Sequence, residues 1–284
     1  MNVAPPVRPK VTPPADAGAG AATANAIRLV GVSKAFVVRG IETPALENTD
    51  LEIRKSEFVS LVGPSGCGKS TILNLVAGLF PPSAGEVFYD GAPVRGLNVH
   101  AGYMTQKDTL LPWRTVEENI AVPLELKVRG VPRSEIRERV AAMIRLVGLA
   151  GFDKHYPAEL SGGMRKRVAL ARTLIYEPET LLMDEPFGAL DAQLKLLMHD
   201  QLQRLTRERH MTVLFVTHDL AEAIALSDRV VVLTARPGRI RVIRDIPMPR
   251  PRDVFKIRFA ESFSRIHEEL WDELKDEVAK GTDV

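Results

Sequence analysis

The chain has 284 residues, 45% hydrophobic and 26% charged, with 38 Lys and Arg against 36 Asp and Glu. That length supplies one large domain or two modest ones with a real core, and a net charge of +2 is too small for a bulk-electrostatic nucleic-acid footprint, so no nucleic-acid partner is expected. The single cysteine, Cys67, excludes an internal disulfide framework and a multi-cysteine zinc site, and it fits a reducing compartment.

Residues 1–26 are mostly Ala, Pro and Gly. Such a segment cannot bury enough apolar surface to offset chain entropy and reads as a disordered tail. Arg8 and Lys10 are followed by no apolar run, so no secretory signal is expected. Order is expected from Ile27, where IRLVGVSKAF has β-like character. Phe58 to Val62 is a short, nearly continuous apolar run, the pattern of a buried parallel strand. Directly after it, Gly63-Pro64-Ser65-Gly66-Cys67-Gly68-Lys69-Ser70 fits G-x-x-x-x-G-K-[ST]. Glycines there let backbone N–H groups converge on phosphate oxygens, and the helix expected from Lys69 to Ala77 adds its N-terminal dipole. In that arrangement Lys69 reaches the β- and γ-phosphates, Ser70 ligates Mg²⁺ and Thr71 bonds the α-phosphate. Cys67 reads as a small loop filler rather than a reactive thiol. The longest uncharged window, Ser70 to Gly85, is broken by Pro81 and Pro82 and falls short of the about 20 apolar residues a spanning helix needs. Any membrane role is therefore expected from the water side.

From Leu110 to Leu160 the pattern turns helical, with EIRERVAAMIRLVGL as its clearest stretch. Leu160-Ser161-Gly162-Gly163-Met164-Arg165-Lys166-Arg167 follows. Ser161 suits an N-cap, and the free N–H groups of the turn behind it make a second anion site. One nucleotide does not need two such helix ends from one chain, which points to a composite site shared by two chains. Strand-like runs then return at Thr180 to Met183, Val213 to Val216 and Arg229 to Leu233, separated by helical patterns, as in a parallel α/β sheet. Asp184 sits where such a strand delivers a metal-binding carboxylate to the sheet edge, and Glu185 points differently, toward an attacking water. Near the end, Phe255, Phe259, Phe263, Ile266, Leu270, Leu274 and Val278 recur at helical spacing and are expected to pack on the chain's own core.

Taken together, these segments resemble the nucleotide-binding subunits of ABC transporters over roughly residues 27–250. The resemblance implies an α/β P-loop NTPase core with a mostly parallel sheet, an antiparallel β subdomain, a helical subdomain at about 108–165, and a C-terminal helical extension at 251–284. It implies that Phe36 stacks on adenine, where Tyr is commoner. It makes Gln106 the glutamine that touches Mg²⁺ and water, so that Ser70, Gln106 and Asp184 hold the metal. Ser161, Gly162, Gly163 and Met164 are similar to the LSGGQ signature, with Met replacing Gln, and contact ATP from the opposite protomer. Asp191 in Ala189-Leu190-Asp191 matches the D-loop, and His218 matches the switch histidine that contacts the γ-phosphate. Glu185, His218 and Gln106 are then the catalytic set, with ATP and Mg²⁺ as cofactors.

A narrower resemblance, to the nitrate/sulfonate/taurine importer branch, rests on LSGGM with its basic residues, on Leu111 to Val116, and on Leu226 to Ile240 with Ala235-Arg236-Pro237-Gly238. Trp113 reads equally as a marker of that branch or as a packing residue. The branch implies a transmembrane permease, a second ATPase subunit (an identical chain or a paralogue), a periplasmic or lipid-tethered solute-binding protein as an indirect partner, and a place on the cytoplasmic face of the inner membrane. Solute identity is carried by other chains. A non-transport ABC-type ATPase acting on DNA or ribosomes is disfavoured by the single cassette and the short stretch between Gln106 and Ser161; an exporter-type ATPase stays open.

Overall fold

The computed structural model describes residues 25–127 and 132–282. In chain order the strands are Asn25–Val38 (β1), Ile41–Arg54 (β2), Phe58–Val62 (β3), Ala84–Tyr89 (β4), Ala92–Pro93 (β5), Ala101–Met104 (β6), Thr180–Asp184 (β7), Thr212–Val216 (β8), Arg229–Leu233 (β9) and Ile240–Asp245 (β10). The α-helices are Lys69–Val76 (α1), Val116–Lys127 (α2), Arg133–Leu146 (α3), Gly162–Leu174 (α4), Ala192–Glu208 (α5), Leu220–Leu226 (α6) and Glu261–Thr282 (α7).

Burial patterns sort the strands into two sheets. β3, β7 and β8 are buried at every position, as strands covered on both faces must be. They lie inside a sheet of order β10-β9-β3-β8-β7-β6, parallel throughout except for β10, which runs antiparallel to β9. The end of β2 instead alternates, Leu51 and Ile53 inward and Glu52 and Arg54 outward, the mark of a sheet with one wet face. It belongs to an antiparallel sheet of order β2-β1-β4-β5.

Three apolar clusters hold the layers together. One face of the large sheet packs, through Phe58, Met183, Val213 and Phe215, on Ile120, Leu124, Val168 and Leu202 of the helical side. The other face, with Leu61, Leu182 and Leu214, meets Ile72 and Leu75 of α1 and Ile27, Leu29 and Ile53 of the small sheet. The third cluster seats α7 on α6 and β9 through Phe263, Ile266, Leu270 and Leu274.

Several expectations change. Residues 1–24 of the expected tail lie outside the described residues, and Asn25 and Ala26 open β1, with Ala26 buried. Helical structure runs past the expected edge at 165, because α4 carries it to Leu174. The C-terminal apolar stripe packs on the core only within α7. Phe255 and Phe259 precede that helix and are exposed, and Val278 is at the exposed margin. The cause is the short 3₁₀ turn Ile257–Phe259, after which Ala260 is extended and breaks the helical phase.

Candidate nucleotide site

The site grows from the carboxyl ends of adjacent parallel strands, the edge where open α/β sheets collect ligands. β3 ends at Val62, the glycine-rich loop turns through Gly63 to Gly68, and α1 starts at Lys69. Gly68 has φ +100°, and a Cβ there would come within 2.9 Å of the Ala45 carbonyl, so this position admits only glycine without strain. Gly238 backs the loop from the other side: a Cβ there would sit 1.9 Å from the Cys67 carbonyl oxygen. The Gly238 N–H donates to Ala45 O at 2.9 Å and the Glu47 N–H to Gly238 O at 3.0 Å, tying the loop's support to the small sheet. Cys67 is fully buried, and burial pushes its thiol up despite the nearby Lys69 ammonium, which fits a packing role.

Lys69 is buried and donates to the carbonyls of Gly63 (2.8 Å) and Pro64 (2.7 Å). Its charge thus lies folded over its own loop. Asp184, the last residue of β7, is buried, and that burial pushes its carboxyl up; the Ser70 hydroxyl, Lys69 and Lys166 pull against the shift, and Glu185 adds to it. A desolvated carboxylate hydrogen-bonded to a hydroxyl is a donor pair that a hard cation suits. Among the described residues no group of three or more His, Cys, Asp or Glu could hold a metal ion. A cation at Ser70 and Asp184 therefore needs ligand oxygens from elsewhere, the habit of Mg²⁺, which keeps waters and phosphates beside one or two protein oxygens.

Glu185 turns away from Asp184 with φ +47°, held there by its N–H donating to Val216 O at 3.0 Å. Its Oε2 accepts from Gln106 Nε2 at 3.2 Å and lies 3.6 Å from Nδ1 of the exposed His218. Three residues far apart in sequence therefore meet at one carboxylate oxygen. Phe36 sits elsewhere, on β1 opposite Thr43, with its ring 5.4 Å from Phe80 in an edge contact and Lys34 Nζ 5.4 Å above it.

Ser161 caps α4, its exposed hydroxyl accepting from the Met164 N–H at 3.2 Å. Gly163 faces the next loop, where a Cβ would stand 3.2 Å from Leu190 Cδ2, and Met164 packs on the helical-side core. Asp191 caps α5 by accepting from the Leu194 N–H at 2.9 Å. Among the described residues, none of the hydrogen bonds of Ser161 to Met164 reaches Gly63 to Thr71.

The structure also assembles residues that sequence reading passed over. Lys166 donates to the Gln106 carbonyl, Arg165 pairs with Asp108 at 3.0 Å, and Arg172 donates to the carbonyls of Asp108 and Thr109, both at 2.9 Å. The basic run after LSGGM was visible only as a family marker; within it Lys166 and Arg165 hold the loop that carries Gln106, while Arg167 donates to the carbonyls of Val147 and Gly148. Behind His218, Thr217 and Glu222 form a buried pair that no motif announced.

A strand, glycine-rich loop and helix with Lys69-Ser70, and an Asp-Glu pair at the end of β7, one strand beyond β8 in the same sheet, define a P-loop nucleoside triphosphatase. The family described as ABC transporter matches residues 46–188. An ABC transporter ATP-binding protein of Methanocaldococcus jannaschii is 47% identical over 254 residues, covering 89% of this chain and 93% of its own. The aliphatic sulfonates import ATP-binding protein SsuB of Bacillus subtilis is 40% identical over 255 residues, covering 88% and 96%. Among solved structures, a dimeric bacterial ABC transporter cassette superposes with a TM-score of 0.73 at 34% identity, over 78% of this chain and all of that one, and a post-hydrolysis form of such a cassette with ADP and Pi gives 0.73 at 33%. The chain belongs to the ABC transporter ATP-binding family. It is an ATPase, and its cofactors are ATP and Mg²⁺.

Proposed function

We propose that the chain powers uptake of a small solute, such as a sulfonate, taurine or nitrate, as the ATP-hydrolysing subunit of an importer. In this reading it sits on the cytoplasmic face of the membrane against permease subunits, pairs with a second ATPase subunit, and depends indirectly on a solute-binding protein outside. The SsuB relatives support the solute class. No helix among the described residues is long and apolar enough to cross a membrane, which fits a peripheral subunit. The observation that carries the chemistry is the meeting of Gln106 and His218 at Glu185, beside the Ser70–Asp184 pair.

Each residue then has a role. The amides of Gly63 to Gly68, with Pro64, Ser65 and Cys67 shaping the loop, cradle the phosphates, and Lys69 leaves its carbonyl partners for the β- and γ-oxygens. Thr71 bonds the α-phosphate and Phe36 stacks on the base. Ser70, Asp184 and Gln106 would hold Mg²⁺, which when bound would supply positive charge against the phosphate oxygens. Glu185 orients the attacking water and takes its proton as the new bond to phosphorus forms and the β–γ bridge breaks toward ADP. His218 donates to the charge that gathers on the γ-phosphoryl oxygens. Ser161 and Gly163 of the second subunit close the site from the far side, with Gly162, Met164 and Asp191 shaping that contact.

The test uses cells deleted for this gene and supplied with labelled sulfonates, taurine and nitrate. The wild-type gene is expected to restore uptake of one class. Glu185→Gln should not, and its purified protein should release phosphate about 10²–10⁴-fold more slowly, the scale for a positioned base. Uptake of all three solutes unaffected by the deletion would remove the importer reading.

A further inference from the structure

The turn that carries His218 is built around a buried carboxylate with no part in the chemistry above. Glu222, in the first turn of α6, is 4% exposed. Its Oε2 accepts from the Thr217 hydroxyl at 2.5 Å. Its Oε1 lies 2.9 Å from Lys195 Nζ and 3.3 Å from His199 Nε2, both on α5. The His199 ring is itself wedged edge-on against Phe187 at 4.9 Å.

Thr217 uses its hydroxyl in both directions. It donates to Glu222 and accepts from the Asp219 N–H at 3.0 Å, while the Thr217 N–H donates to Leu61 O at 3.3 Å. Asp219 in turn caps α6 by accepting from the Ala221 and Glu222 N–H groups. The residues on either side of His218 are thus pinned, and His218 projects from between them with its ring 3.6 Å from Glu185. Packing α5 on α6 does not require a charge; apolar side chains of similar volume serve as well or better. What a buried network of this kind supplies is a fixed direction for the groups attached to it. The anchor also reaches the Asp191 loop, since the Lys195 N–H donates to Asp191 O at 2.9 Å.

Resting on the reading that His218 stabilises charge on the γ-phosphate, we propose that Thr217 and Glu222 are positioning residues that aim the His218 imidazole, with Lys195 and His199 holding Glu222 in place. Thr217→Val removes the hydroxyl at nearly constant shape and leaves the two contacts of Glu222 with α5, to Lys195 and His199, intact. In the full-length protein with Mg²⁺ and ATP, kcat is expected to fall about 10–100-fold with KM for ATP moved less than about threefold, because the lost interaction matters in the transition state. Thr217→Ser should return kcat to within about threefold of wild type.

A second readout needs no nucleotide. In ¹⁵N-histidine-labelled protein, Thr217→Val and Glu222→Gln should both shift the His218 ring signals and leave those of His155 and His267 in place. In a His218→Ala background Thr217→Val should cost nothing more, since the effect runs through that ring. Folded variants with unmoved His218 signals, or the full kcat loss persisting in His218→Ala, overturn the proposal. Wild-type turnover by His218→Ala alone is a separate result: it removes His218 from the chemistry, while the ring spectrum of Thr217→Val still reports whether the hydroxyl aims it.

Discussion

At Lys69 the ammonium is satisfied by two loop carbonyls, those of Gly63 and Pro64. Lys69→Ala is expected to weaken ATP binding measured by calorimetry while leaving the melting temperature within a few degrees; unchanged affinity would remove Lys69 from the phosphate site. Glu222 governs a pH effect. Burial pushes its carboxyl up, but His199, the Thr217 hydroxyl and Lys195 outweigh that and pull it down from 4.5 to about 2. The unfolded chain therefore binds this proton first on acidification. The stabilisation is complete above the unfolded value and is lost as pH falls from about 4.5 toward 2, amounting to about 3 kcal/mol. Urea unfolding should show Glu222→Gln well below wild type at pH 7, with the gap narrowing as pH falls from about 4.5 toward 2. A constant gap would mean the carboxylate carries no such charge-dependent stabilisation.

At the scale of the element, α7 is fastened by its apolar stripe and by two acids, Glu273 and Glu277. Leu270 is fully buried among Phe263, Ile266 and Leu274, and Glu277 accepts from the Ala235 N–H at 2.8 Å while pairing with Arg241. Leu270→Ala should cost about 2–5 kcal/mol, read as a lowered urea midpoint; a loss under half a kcal/mol would show that the helix is not part of the folded unit. The elements that can be read from sequence are those whose signal is local. β3, β7, β8 and β9 declare themselves as short apolar runs, and α1 by the loop ahead of it. β4, β5, β6 and β10 do not: β6 includes Gly102 and Tyr103, β5 is two residues long, and β10 mixes Arg and Asp with Ile and Val out of strict alternation at a wet edge. The spacing of Phe255 and Phe259 imitates the helix that follows, and only the 3₁₀ turn separates them from it. In the same way the phosphate loop is contiguous and legible, whereas the Glu222 network needs α5, α6 and β8 to be brought together before it exists.

Across the whole molecule, the exposed cap at Ser161 and the phosphate loop share no hydrogen bond among the described residues. If two chains close on shared nucleotide, Glu185→Gln with Mg²⁺ and ATP should double its mass in light scattering, and adding Ser161→Arg should keep it at the mass of one chain. A Glu185→Gln protein that stays single at saturating ATP would contradict the paired site. The arginines and lysine of α4 bear on how such closure is felt inside each chain. Arg165, Lys166 and Arg172 grip a side-chain carboxylate and three main-chain oxygens between Gln106 and Thr109. A swing of that helix therefore tows the glutamine along with it, and the distance from Gln106 to Glu185 becomes a gauge, within one subunit, of how far its helical side has travelled.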